Sequence, residues 1–225
     1  MPDRRPPLSL RFGRTLHRLK ARGPTEVFGL GVTRLKEAWR SADELILCVR
    51  PAEPMERPGD GMLLREAAPD DGPRYSRDIG TDTDKSFRGR LAPDVMCFVV
   101  EGEGRFLHAS WVTTTGAWTR EIGAFLAPPV GDAYVYESFT RADARGRGIY
   151  PFALAGIVTT MAQRGTQSIW VGVEAANTPS RKAIAKAGFE EAFTLRFGRR
   201  LGKVTTKEAT GPRAERARHF VRRRL

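Results

Sequence analysis

Two strand–turn–helix units follow one another in the second half of the chain, and they constrain the fold more than any other feature. The first opens with the apolar segment Ala133-Tyr134-Val135-Tyr136-Glu137-Ser138-Phe139-Thr140. It passes through Arg145-Gly146-Arg147-Gly148-Ile149-Tyr150-Pro151 into a stretch with Leu154, Ile157, Val158 and Met161 on one helical face. The second runs from Ser168-Ile169-Trp170-Val171-Gly172-Val173 into Asn177-Thr178-Pro179-Ser180-Arg181-Lys182-Ala183-Ile184-Ala185-Lys186-Ala187-Gly188-Phe189. Asn177 reads as a helix N-cap and Gly188 as the residue just past the helix end. The basic, glycine-punctuated turn of the first unit suits a phosphate. Glycines let the backbone approach an anion with its N–H groups, and the next helix adds the positive end of its dipole. Pro151 fits a first helical turn, where its missing N–H is not needed. An ordinary surface turn reads the same way, so the motif alone does not decide.

The rest of the chain supplies further elements. Cys97-Phe98-Val99-Val100 and Arg105–Val112 flank Glu101-Gly102-Glu103-Gly104 and read as a hairpin. Leu45–Arg50 looks like a short strand, and residues 51–61, with three Pro and two Gly, look like a linker. An extra strand is expected over Ile122–Leu126. Strand, helix, several strands, helix, strand, helix, strands argues an α/β fold with a mixed sheet.

The two motifs, in this order, resemble the GNAT superfamily of acyl-CoA-dependent N-acyltransferases. That family's loop, Arg/Gln-x-x-Gly-x-Gly/Ala, is matched by Arg145-x-x-Gly148-x-Tyr150. Its Asn-x-x-Ala/Ser with a later Gly-Phe is matched by Asn177-x-x-Ser180 and Gly188-Phe189. The resemblance covers about residues 62–203, beginning with the strand at Met62–Glu66. It implies a mostly antiparallel central sheet flanked by helices, with a splayed pair of parallel strands. It also implies acetyl-CoA or another acyl-CoA as co-substrate. The N–H groups of Arg145, Gly146, Arg147, Gly148, Ile149 and Tyr150 would meet the pyrophosphate. The backbone of Phe139 and Thr140 would meet the pantetheine and the thioester carbonyl. Asn177 and Ser180 match cofactor-contacting positions.

The chain departs from the pattern twice. Tyr150 stands where the loop ends in Gly or Ala, and Ile184 stands where a Tyr often protonates the leaving thiolate. That proton must come from Tyr150, Ser180 or water. Glu137 is the candidate general base, with a cross-strand salt bridge as the alternative. Strict alternation places Val135 and Glu137 on one face of the strand and Tyr134 and Tyr136 on the other.

The chain's 225 residues and this pattern give three expected parts. They are a helical, basic extension and linker over 1–61, an acyltransferase domain over 62–203, and a basic tail or helix over 204–225. Within the extension, Leu8, Phe12, Leu16 and Leu19 form one apolar stripe, and a second helix is expected over Thr25–Trp39. The stripe is read as packing on protein, its own domain or a second copy in a homodimer, rather than on a membrane.

Residues 1–23 carry a net +6 and residues 195–225 a net +9 against +12 for the whole, so the stretch between carries −3. Basic ends can meet nucleic acid or an anionic membrane surface. With seven Lys among 38 basic residues and no nucleic-acid-binding motif, arginine-rich composition is the favoured reading. Cys48 and Cys97, each in an apolar run, read as small buried side chains in a reducing compartment. No metal-ligand spacing, membrane-length segment or secretory signal is legible, which points to the cytoplasm.

The expected activity is N-acyl transfer, most simply N-acetyl transfer, to a primary amine by direct attack. The alternatives are a GNAT fold that binds acyl-CoA without turnover, and a nucleic-acid or membrane-surface binder working through the basic ends.

Overall fold

The computed structural model describes residues 41–55, 61–119, 122–200 and 203–222. The helices expected within 1–40, with the contact expected of their apolar stripe, lie outside the described residues, as does 56–60 of the expected linker. The elements are β1 (Ser41–Pro51), β2 (Leu63–Glu66), α1 (Gly72–Asp78), α2 (Asp84–Arg88), β3 (Val95–Gly102), β4 (Arg105–Thr113), β5 (Ala117–Thr119) and β6 (Ala124–Leu126). They continue as β7 (Ala133–Thr140), α3 (Ile149–Gln163), β8 (Ser168–Glu174), α4 (Thr178–Lys186), β9 (Glu190–Arg200), β10 (Lys203–Thr210), α5 (Ala217–Phe220) and β11 (Val221–Arg222).

Eight strands form one sheet in the order β10-β9-β1-β8-β7-β4-β3-β2. Every neighbouring pair is antiparallel except β7 with β8. This is the mixed α/β sheet that the sequence predicts. The strand read at Leu45–Arg50 is longer than expected and central: Ile46 pairs with Val173 of β8 on one side and Thr194 of β9 on the other. It therefore shares a sheet with the strands of 62–203. Its unbroken apolar run is explained by cover on both faces. Ile46 and Cys48 join one core, while Leu45, Leu47 and Val49 join the other.

On the first face lie α3 and α4. Leu154, Ile157, Val158 and Met161 are at most 2% exposed, as their spacing predicts. Each such side chain contributes about 1.5–3 kcal/mol of burial. The second face has two covers. Tyr75, Ile79 and Phe87 from α1, α2 and the turn between them pack on Phe106, Ala109 and Trp111. Leu126 and Phe220 pack on Trp170, Phe193 and Phe197. The expected extra strand is β6, paired with β5 and with β11 in a second small sheet. Residues 204–222, expected as a basic tail or helix, run instead as most of β10, then α5, then β11. Phe220 is 1% exposed, with its ring 5.0 Å from that of Trp170. No helix among the described residues is long and apolar enough to cross a membrane.

Candidate active site

Past Val135, β7 and β8 part. They pair at Ala133/Ile169, Tyr134/Trp170 and Val135/Val171, after which β7 runs on to Thr140 and β8 to Glu174 without further register. An irregularity in β7 marks the same place. Ala109 of β4 pairs with Phe139 and Trp111 with Tyr136, so Ser110 alone faces both Glu137 and Ser138. Glu137 absorbs the extra residue at φ 48°. A non-glycine residue held there costs on the order of 1–3 kcal/mol. Such a bulge bends its strand and increases the local twist.

The bulge overturns strict alternation at Glu137. Val135 packs in the core under α3, yet Glu137 joins Tyr136 around Arg90, on the opposite side. Arg90, just after α2, lies 2.9 Å from Glu137 Oε2 and donates to Asp82 Oδ2 at 2.6 Å. Its guanidinium sits 3.7 Å above the Trp111 ring. Burial alone would weaken the hold of Arg90 on its proton. The negative charge of Glu137, the hydroxyl of Tyr136 and Asp82 outweigh it and keep its pKa raised. Glu137 is thus in an ion pair, with a partner from a loop rather than from a neighbouring strand.

The other side of the bulge is neutral. Ser138 Oγ and Ser110 Oγ are 2.8 Å apart, and Ser110 Oγ lies 2.8 Å from His108 Nε2. His108 Nδ1 lies 2.7 Å from Thr140 Oγ1. Tyr150 of α3 stacks on the imidazole with ring centroids 5.3 Å apart, and its phenol lies beside Ser138. Burial lowers His108 to about 3, which leaves it uncharged at neutral pH. Burial also pushes Tyr150 up to about 12, against a smaller opposing pull from Ser138.

The turn into α3 begins where β7 ends. Gly146 (φ 79°) and Gly148 (φ 73°) are both left-handed, and a Cβ on either would meet nothing within 4 Å. Glycine is there for its backbone, not for lack of room. Gly148 caps α3 with no side-chain hydrogen bond, and Phe152 N–H donates to the Gly148 carbonyl at 3.2 Å. First-turn N–H groups have no carbonyl a turn back inside their helix, so they face outward. Arg145 Nε donates to the Thr140 carbonyl at 3.4 Å, and Arg147 pairs with Glu103 at 2.6 Å. Arg105, then Arg147, hold the Glu103 carboxyl below its ordinary pKa.

At the second unit, Asn177 Oδ1 accepts the Ser180 N–H at 3.2 Å, as the N-cap reading predicts. Gly188 (φ 77°) follows the helix end. Ile184 is 1% exposed and packed in the core with Phe189.

Phe139, Thr140 and Arg145–Tyr150 therefore meet at the parting of the strands, and Asn177 and Ser180 stand at the start of α4. Of the predicted catalytic residues, Glu137 and Tyr150 lie on opposite sides of β7. Ser180 belongs to neither hydrogen-bonded group. Sequence reasoning missed Arg90, His108, Ser110 and Ser138. His108-x-Ser110 and Ser138-x-Thr140 each present polar groups at a spacing of two in otherwise apolar strands, a signal that both pairs line one face.

Residues 63–189, more than half of the chain, match the Acetyltransferase (GNAT) family. No curated protein matches the chain. Among solved structures, the GCN5-related N-acetyltransferase from Sphaerobacter thermophilus is similar over 78% of this chain and 56% of its own, at 12% identity and a TM-score of 0.55. A functionally unknown conserved protein from Staphylococcus epidermidis is similar over 74% of this chain and 64% of its own, at 8% identity and a TM-score of 0.51. Both likenesses are of fold, and the chain spans less than two thirds of either protein.

Proposed function

The chain belongs to the GNAT acetyltransferase family, and from that premise we propose that it is an acyl-CoA-dependent N-acyltransferase. Its reaction moves an acetyl group from acetyl-CoA to a primary amine by direct attack. One observation carries the reading: β7 and β8 part beside the bulge at Glu137, and the loop that follows β7 ends in an α3 N-terminus with no side-chain cap. The parting gives a flat acyl-pantetheine arm a place between two strands, along the backbone of Phe139 and Thr140. The outward N–H groups from Gly146 to Tyr150 suit the pyrophosphate, with helix dipole and arginine charge adding to them, while the Arg145 N–H is given to the Ala142 carbonyl at 3.5 Å. Asn177 and Ser180 flank the arm from α4.

Glu137 is the base in this scheme. Arg90 fixes its carboxylate at the edge of the parting, about a third exposed. The amine loses its proton there as it attacks the thioester carbon. The C–S bond of the tetrahedral intermediate then breaks, and the thiolate takes a proton. No group of His, Cys, Asp and Glu among the described residues could hold a metal ion, and the scheme uses none.

One observation favours a second reading, an acyl-CoA-binding module without turnover: Ile184 fills the helix position of the family's frequent acid and is sealed in the core. Calorimetric titration with coenzyme A, followed by acetyl-CoA turnover against a panel of amino sugars, small amines and peptide amines, separates the two. Binding with an acetylated amine supports the transferase. Binding with no acetylated amine favours the module, and absence of binding sinks both.

A further inference from the structure

The side chains around His108 form a hydrogen-bonded path in which His108, Ser110 and Ser138 have no role in the assignments above. It runs Ser138 Oγ, Ser110 Oγ, His108 Nε2, His108 Nδ1, Thr140 Oγ1, with oxygen–oxygen and oxygen–nitrogen separations of 2.7 to 2.8 Å, and the Tyr150 phenol lies beside its Ser138 end. His108 and Ser110 are fully buried. Tyr150, beside one end of the path, and Thr140, at the other, are partly exposed and border the parting of β7 and β8. A buried histidine that only fills space needs one partner per nitrogen. Here every partner is a hydroxyl, a group that both donates and accepts. The stacked Tyr150 ring holds the imidazole in plane with the path.

We propose that this path is a proton relay: Tyr150 protonates the departing coenzyme A thiolate, and Ser138, Ser110 and His108 restore the phenol from the Thr140 end. This inference rests on the transferase reading. As the C–S bond breaks, its electron pair goes to sulfur and the Tyr150 O–H proton moves onto it. The phenolate takes the Ser138 proton, Ser138 takes that of Ser110, and Ser110 takes the one on His108 Nε2. His108 Nδ1 takes the Thr140 hydroxyl proton, and Thr140 recovers one from water. One proton crosses from solvent to sulfur, and no group keeps a charge. The hydroxyls rotate and the imidazole returns to its first tautomer before the next cycle. A neutral imidazole is required for the exchange, which agrees with the burial of His108. The relay also replaces what Ile184 lacks.

Ser110 is the residue to test, because it touches His108 and Ser138 and is placed in no cofactor or acceptor contact. With acetyl-CoA and the best amine of the panel, Ser110→Ala should lower kcat about tenfold or more with the KM for acetyl-CoA unchanged, consistent with the range for positioned proton transfer. Ser110→Thr, which keeps a hydroxyl, should restore most of it. The solvent deuterium effect on kcat should shrink in Ser110→Ala and in Tyr150→Phe. Melting curves establish that each variant is folded, and Ser138→Ala repeats the test at a less buried point. Wild-type kcat in Ser110→Ala and Ser138→Ala, or a loss confined to KM, overturns the relay while leaving the transferase standing. A wild type that binds coenzyme A and acetylates nothing overturns both together.

Discussion

The helices α3 and α4 both follow a strand and a turn, yet their N-termini are built in opposite ways. At α4 the side chain of Asn177 closes the end by accepting the Ser180 N–H. At α3 the capping residue is Gly148, which has nothing to close it with. The rest of each helix differs to match. From α3, ten side chains or backbones are buried, while α4 buries Ile184 alone. A helix held by its own core packing can leave its first turn unsatisfied, and a helix with one anchor needs its cap. What is left unsatisfied at α3 suits an anion, and that contrast supports the proposal that the cofactor sits at the first unit.

If this contrast is right, the first unit should dominate every functional measurement. The largest effect is expected from Glu137, on its strand. Glu137→Gln should lower kcat at neutral pH by about 10²–10⁴-fold and leave coenzyme A affinity nearly unchanged. Full turnover across the pH range would reduce Glu137 to a partner of Arg90. Next comes the loop. Gly148→Asp sets a carboxylate against the pyrophosphate, a like-charge contact of several kcal/mol, so calorimetry should show affinity weakened by about 100-fold or more. Equal affinity would move the cofactor away from α3.

A third test lies beneath α3. His108 is held to about 3 in the folded protein, well below its ordinary value of about 6.5. Between those values the unfolded chain binds a proton that the folded one refuses. Stability therefore falls as pH drops from about 6.5 toward 3, by up to about 1.4 kcal/mol per pH unit. His108→Gln should flatten that part of the stability curve. An unchanged slope would mean that the imidazole takes up protons without unfolding.

The smallest effect belongs to the closed end. Asn177→Ala should cost about 1 kcal/mol of stability and lower the melting temperature by roughly 2–4 °C. Its effect on coenzyme A affinity should be well below that of Gly148→Asp. If Asn177→Ala proved the more damaging to affinity, the contrast between the two ends would be wrong.

The same contrast explains what could be read from the sequence. Caps, helix faces and glycine turns are local, and Asn177, Gly188, the α3 stripe and the hairpin around Glu103 all stand where their residue types predict. The short strand β6 was legible for the same reason. The bulge was not, because Glu137 takes a left-handed backbone without being glycine and carries no mark of it. Nor was the partner of Glu137, since Arg90 comes from a different part of the chain. His108 and Ser110 were visible as a spacing, but only the register of β4 against β7 turns them into neighbours of Ser138 and Thr140. Long-range register is what pattern reading lacks.

The place of β1 has a consequence in time. It is made before every other described strand, and both strands it pairs with, β8 and β9, are made more than a hundred residues later. At synthesis rates of roughly 5–20 residues per second, β1 waits on the order of 10 s for its partners. Until then its apolar run has no sheet to enter. The central sheet can close only after β9 has been made, and non-local pairing of this kind slows folding. A chain begun at Met62 would keep the whole segment that matches the family, yet β8 and β9 would each lose a neighbour. Such a chain should aggregate on expression, and supplying residues 41–55 as a separate peptide during refolding should recover soluble protein.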